Sequence, residues 1–131
     1  MTIVVTAAVV ERDGRFLVTR RQPGVHLEGF WEFPGGKIDA GETLEASLVR
    51  ELLEELAVVP RVGAEIFTVT HHYPERSVEL HFFRCDLVGE PAPQLGQEMR
   101  WVTRAEMASL AFPPADEELI RTIVSGSATS R

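Results

Sequence analysis

Three glutamates, Glu51, Glu54 and Glu55, fall inside a stretch from Leu44 to Leu56 that holds no glycine or proline and is built from strong helix formers. At about 100° per residue, Glu54 lies about 60° to one side of Glu51 and Glu55 about 40° to the other, so the three carboxylates share a helix face. Val49, Leu52, Leu53 and Leu56 recur at helical spacing and are expected to bury the opposite side. Like charges four residues apart destabilise a helix by a few tenths of a kcal/mol, and Arg50, even paired with Glu54, cannot balance three acids. A hard divalent cation can, since magnesium takes oxygen ligands and binds through a few carboxylates together with substrate phosphates. Gly35-Gly36 upstream adds backbone carbonyls that a metal can approach without a Cβ in the way. Taken alone, the same glutamates could equally form a solvated face.

The elements that must position this face can be read from the pattern. Residues 2 to 10 are rich in β-branched side chains, Asp13-Gly14 marks a tight turn, and Arg15 to Arg20 resumes an extended pattern, which together predict a β-hairpin. From Arg21 to Glu42 the chain is glycine-dense and reads as loop. Thr43 caps the helix that follows, and Pro60 stops any continuation. Strands are expected over 62–70 and 78–88 around a turn near Pro74, then a loop over 89–96 and a short strand over 99–102. Thr103 to Glu106 has capping-box spacing, and Leu119, Ile120, Ile123 and Val124 place a last helix over 116–124.

At 131 residues the chain fits one domain, 1–131, with the small polar tail 125–131 expected to fray. Hydrophobic residues at 44% and charged residues at 25% exclude a disordered or fibrous chain. The formal net charge of −7 disfavours affinity built on neutralising a nucleic-acid polymer, although divalent metal would still let the chain bind a phosphate compound. The single cysteine, Cys85, forbids an internal disulfide, is expected to fill core space, and fits a reducing cytoplasm. No run of about 18 apolar residues could span a bilayer. The apolar stretch Ile3 to Val10 lacks a basic leader and runs straight into Glu11-Arg12-Asp13, so it reads as a strand. His26, His71, His72 and His81 lack metal-ligand spacing and are expected to be structural or surface residues, as Trp31 and Trp101 are expected to be packing. No feature of the chain specifies an oligomeric state.

Gly36, Glu42, Arg50, Glu51, Leu52, Glu54, Glu55 and Val58 stand at the spacings of the Nudix box: Gly, five residues, Glu, seven residues, Arg-Glu-aliphatic-any-Glu-Glu-any-Gly-aliphatic. A chance match in so short a chain is on the order of one in a million or rarer. One position departs: Ala57 stands where the family has glycine, at a helix end where a left-handed residue would be natural. An alanine in that conformation costs roughly 1 kcal/mol, unless the helix ends with another geometry. Phe30 to Lys37 and Phe112 to Asp116 resemble segments of the MutT-like nucleoside triphosphate pyrophosphohydrolases, so the resemblance spans most of the chain.

That resemblance implies an α+β fold, a Nudix-type α/β/α sandwich with a mixed β-sheet between helices. It implies magnesium-dependent hydrolysis of nucleoside triphosphates to monophosphate and pyrophosphate, manganese being able to replace magnesium. Sanitation of 8-oxo-dGTP is the leading role, CTP or modified cytidine triphosphates the runner-up, and dinucleoside polyphosphates or nucleotide sugars remain within the family. A non-catalytic nucleotide-sensing module is the reading from another class, disfavoured by the complete acid set. By carry-over, Glu51, Glu54 and Glu55 ligate the metal, with the Gly35 carbonyl and Glu98 as further candidates. Glu51 or Glu54 takes up the proton, Glu98 being a third possibility, and Arg50 orients a glutamate while Glu42 supports the loop. Arg21 and Lys37 are candidates for phosphate contact and Phe33 for flanking the base. Asp116 is a candidate base reader, an ionised aspartate only accepting where an asparagine both donates and accepts; it is equally placed to be the N-cap of the last helix.

Overall fold

A strand with no polar face must be covered on both sides, and the apolar N-terminal strand is covered by a helix layer on each. The structure, a computed structural model, describes residues 1–126. Its elements are β1 (Thr2–Val9), β2 (Glu11–Arg12), β3 (Arg15–Arg20), β4 (Trp31–Glu32), β5 (Gly35–Lys37), α1 (Leu44–Leu56), β6 (Val59–His72), β7 (Ser77–Val88), β8 (Met99–Thr103), α2 (Arg104–Met107) and α3 (Glu117–Val124). A 3-10 turn, Pro114–Asp116, leads into α3. One sheet has the order β5-β1-β7-β6, and the second joins β2, β3 and β4, with β8 on β3. Strands β1 and β7 are parallel and the other pairs antiparallel.

Alternation along β1 divides the interior. Ala8 and Val10 join Phe83, Cys85 and Leu17 beneath Leu48, Leu52 and Leu56 of α1. Ala7 and Val9 join Phe82, Phe16 and Trp31 on the other side, where Met107, Phe112, Leu119 and Ile123 close the core. The result is the expected α/β/α sandwich of the α+β class, with Cys85 and Trp31 buried. Among the described residues no helix is long and apolar enough to cross a membrane.

Several elements differ from the pattern reading. The Asp13-Gly14 turn is present, with φ of 52° and 76° as a two-residue hairpin turn requires. Its hairpin, however, is β2 with β3; β1 pairs instead with β5 and β7 in the other sheet. The glycine-dense segment contains two short strands: β4, which pairs with β3, and β5, whose glycines without a Cβ lie flush against β1, as Gly35 does opposite Ala7. Strand β6 extends to 59–72 and takes in Pro60, so the proline that ends the helix sits in the next strand. The last helix starts at Glu117, one residue later than expected, after the 3-10 turn. Of the tail expected to fray, 127–131 lies outside the described residues.

Helix α1 itself needs one correction. Leu53 is 52% exposed and Val49 half-buried, and the buried stripe is Ser47, Leu48, Leu52 and Leu56. Glu55 lies only about 20° around the axis from Leu48. Glu51 and Glu55 therefore border the buried face instead of opposing it, while Glu54 faces solvent.

Candidate active site

Thr43 accepts a hydrogen bond from the Ala46 amide and opens α1, whose middle turn brings the Glu51 carboxylate to Gly36 of β5. A Cβ on Gly36 would stand 2.4 Å from the Glu51 carboxyl carbon, so only glycine leaves that carboxylate its place. Arg50 clamps the surrounding loop. Its guanidinium donates to both Glu42 oxygens at 2.7 and 3.0 Å, to Glu51 at 3.1 Å, to Glu54 at 3.3 Å and to the Lys37 carbonyl at 3.1 Å. Glu42, which also accepts from the Asp39 amide, is held down at about 2 by its bonds to Arg50 and that amide.

Glu55 differs from Glu42 in having no arginine. Burial, a hydrogen bond to Glu51 and the charges of Glu51, Glu32 and Glu54 push its pKa well above the usual carboxylate range. A carboxyl that keeps its proton because acids crowd it is a place where a cation would relieve the same repulsion. Among the described residues no three His, Cys, Asp or Glu side chains already surround a common point. The donor chemistry fits a hard divalent ion nonetheless: carboxylate oxygens alone, crowded at one helix face beside a glycine pair.

Next to these acids lies a cavity of about 370 Å3, within the range of small-molecule sites. Gly35, Gly36, Lys37 and Glu55 line it, as do Arg21, Glu32 and Asp116, and the charge of Glu32 reaches both Glu55 and Asp116. Phe33 forms part of its wall but is 3% exposed and packs edge-on against Phe82, with Phe112 5.8 Å away. Arg21 donates to Glu32 at 2.7 Å and to the His26 carbonyl, and it stands close enough to Asp116 to oppose the rise in that group's pKa. Asp116 is 4% exposed; it stands at the N-cap position of α3, as the chain predicts, but its side chain makes no capping bond there. Burial and the charge of Glu32 push its pKa up to about 7.

Four sequence candidates stand outside the cavity wall: Arg50 and Glu51, bonded to each other behind Gly36, and Glu54 and Glu98. Glu54 is 60% exposed on α1. Glu98 follows Gln97, whose amide reaches the Glu55 carbonyl, but its carboxylate is engaged by Arg20 at 3.3 Å and Arg100 at 3.1 Å. Both arginines also cover Trp31.

Pattern reading missed Glu32, Tyr73 and Arg76. Glu32 follows Trp31 in a two-residue strand, so when Trp31 turns into the core Glu32 turns to the cavity; that alternation was a usable signal. Tyr73 and Arg76 lie in the turn between β6 and β7, and only the parallel pairing of β7 with β1 brings that turn over the cavity. His26 and His71 pack on Tyr73, while both ring nitrogens of His81 stand 2.6 Å from glutamates, Glu65 and Glu79.

Comparison with known proteins agrees with this architecture. The NUDIX domain model matches residues 5–122. The chain is 36% identical over 125 residues to an 8-oxo-dGTP diphosphatase of Haemophilus influenzae, covering 93% of this chain and 91% of the relative. It is 32% identical over 123 residues to a CTP pyrophosphohydrolase of Escherichia coli, again covering 93% and 91%. Among solved structures, the E. coli ORF135 protein superposes with a TM-score of 0.83 at 32% identity over 95% of this chain and 89% of that one. A MutT protein of Methanosarcina mazei shares the fold with a TM-score of 0.84 at 22% identity, over 98% and 96%. A glycine-cradled acidic helix bordering a cavity, a family model over most of the length and relatives above 30% identity lead to one conclusion: the chain belongs to the Nudix family, in its MutT-like branch.

Proposed function

We propose that this protein hydrolyses nucleoside triphosphates to nucleoside monophosphate and pyrophosphate, with 8-oxo-dGTP the leading substrate, so that an oxidised base is removed from the nucleotide pool before it enters DNA. The reading is carried by one observation: a single cavity runs from the carboxylate helix to a buried aspartate about as far from water as a base-reading group can be. The relatives named for 8-oxo-dGTP and CTP hydrolysis support the substrate class. The cytoplasm, where nucleotide pools and a reduced Cys85 coexist, is the proposed location.

Glu51, Glu54 and Glu55, with the Gly35 carbonyl, would hold magnesium or manganese, which when bound offsets polyphosphate charge and lowers the pKa of a water. Arg50 fixes the carboxylates of Glu51 and Glu54 relative to the loop, so their lone pairs are aimed before substrate arrives. Glu51 is engaged by Arg50 and Glu55, whereas Glu54 has one long contact and open solvent, so Glu54 is the better acceptor for the proton of the attacking water. Water adds to one phosphorus of the α–β anhydride as the bond from that phosphorus to the bridging oxygen breaks, the water proton passing to Glu54; the products are nucleoside monophosphate and pyrophosphate, and Lys37 at the cavity wall faces the phosphates. Arg21 stands with Asp116, and in this reading it contacts the substrate away from the carboxylate helix.

Asp116 with a pKa of about 7 is shared between two forms at neutral pH. Protonated, it donates and accepts, which suits guanine and 8-oxoguanine; ionised, it only accepts, which suits the N–H donors of guanine and the cytosine amino group alike. The CTP reading is kept on that account. The test is pyrophosphate release from a panel of normal and oxidised nucleotides, compared as kcat/KM with and without magnesium. Highest kcat/KM on 8-oxo-dGTP, absent without the metal, is the expected result; no release from any nucleotide overturns the reading.

A further inference from the structure

Two polar groups at the far end of the cavity form no hydrogen bond or ion pair with any described residue: the Asp116 carboxyl and the Tyr73 hydroxyl. Neither is sealed off, since no fully buried side-chain polar atom among the described residues lacks a partner. Both residues line the cavity, so these groups are available at the wall of the space a ligand would fill. The Tyr73 pKa is raised first by burial and then by the charge of Asp116. The phenol is thus a donor at every working pH.

The Tyr73 ring is held rigidly. The β6–β7 ladder persists to the pair His72 and Ser77, and the turn beyond is closed by the Tyr73 amide donating to the Arg76 carbonyl at 2.8 Å and the Arg76 amide to the Tyr73 carbonyl at 3.3 Å. His71 packs on the ring at 4.5 Å between centroids, and His26, from the loop between β3 and β4, meets it edge-on at 5.4 Å. A side chain braced from two elements, with its one polar atom unpaired, is suited to reading a partner's edge at low entropic cost.

We propose that the Tyr73 hydroxyl is a specificity-determining contact of this site, donating to the acceptor on the base that neighbours the donor read by Asp116. This rests on reading the cavity as a nucleotide site. The acceptor is O6 of guanine, flanked by N1–H and, in 8-oxoguanine, also by N7–H, or N3 of cytosine, flanked by the amino group. Base recognition then takes two groups from segments more than forty residues apart, one on the hairpin turn and one before α3.

The test is Tyr73→Phe, which keeps the ring between its two histidines and removes only the hydroxyl. Steady-state kinetics are compared on dGTP against 6-thio-dGTP, whose sulfur is a weak acceptor beside an intact N1–H, and on CTP against 3-deaza-CTP, which lacks N3 and keeps the amino group. The expected result is a KM raised roughly three- to tenfold on the parent nucleotide, the effect of one neutral hydrogen bond, with kcat held and no difference between wild type and variant on the acceptor-poor analogue. An unchanged KM on every nucleotide, or an equal loss on parent and analogue, overturns the role of the hydroxyl while wild-type turnover leaves the nucleotide site standing. Absence of wild-type turnover on all four and on 8-oxo-dGTP overturns the site and this proposal together.

Discussion

The two ends of the cavity are built on opposite principles. At the carboxylate end, acids come from one helix within five residues, and one of them has the opposite fate to Glu42 of the loop before it. Glu42 is neutralised by Arg50, while Glu55 has no cation and keeps its proton. At the other end, Asp116, Glu32, Arg21 and Tyr73 come from four segments, with one arginine serving two acids. The first end is crowded and gains from added positive charge. The second is desolvated and gains from a partner that offers hydrogen bonds. Chemistry that must not depend on the base belongs at the first end, and discrimination belongs at the second.

The sharpest way to break this comparison is to damage one end alone. Glu54→Gln keeps the shape of α1 and removes the proton acceptor, so kcat should fall by about 10²–10⁴-fold, the range for general-base loss, with an unchanged thermal transition. Full turnover in that variant would take Glu54 out of the chemistry. The two glycines offer a matched pair. Ala at Gly36 meets only the far end of Glu51, at 2.4–2.6 Å, so Gly36→Ala should displace that carboxylate and cost on the order of 100-fold in kcat with the fold intact. Ala at Gly35 meets the Thr6 carbonyl oxygen at 1.9 Å, a backbone atom of β1, so Gly35→Ala should destabilise by about 3 kcal/mol. Denaturation midpoints and kcat measured on both variants would separate the two roles; matching stability losses would refute the distinction.

Asp116→Asn acts on the other end. It should redistribute kcat/KM among bases by about tenfold, the range of one or two hydrogen bonds, while kcat on the best substrate changes little; an equal loss on every base would remove Asp116 from recognition. The same variant has a pH signature. The Asp116 pKa is raised from an ordinary 3.8 to about 7, so between these values the folded state holds a proton that the unfolded state has released. Stability contributed by this group is therefore complete below about pH 4, declines as pH rises, and is fully lost above about pH 7. Asparagine abolishes that decline, and urea unfolding from pH 4 to 8 should show a flatter profile for the variant. Parallel profiles would mean that Asp116 titrates normally.

The contrast between the ends also explains what could be read from the chain. Glu51, Glu54, Glu55, Arg50 and Gly36 lie within twenty residues, and a single helix period relates the acids, so periodicity alone placed them together. What it misjudged was the side they face. A helix whose Leu48 is wholly buried cannot also turn Leu53 inward, since the two lie about 140° apart. The distant end left less trace. Tyr73 and Arg76 looked like ordinary turn residues because their position depends on which strand β7 joins, and a run such as Ile3 to Val10 does not say whether its neighbour is the next strand or one seventy residues later. Asp116 could be singled out in the chain, but its lack of a capping bond is visible only in three dimensions.

Ala57 gives the smallest and cleanest test, because it ends the carboxylate helix without touching the cavity. Its φ of 54° and ψ of 39° are left-handed, and its amide still closes the last turn onto the Leu53 carbonyl at 3.1 Å. The alternative of a different helix terminus is thereby excluded, and the alanine bears the steric cost of the conformation instead. Ala57→Gly should raise stability by about 0.5–1 kcal/mol, less than the full strain because glycine also gives the unfolded chain more freedom. Since Leu56 remains buried and Glu55 keeps its place, kcat/KM should stay within twofold of wild type, the size of a few tenths of a kcal/mol. A loss of activity from this substitution would mean that the rigidity of the last turn, and not only the carboxylates upstream of it, sets the geometry of that end.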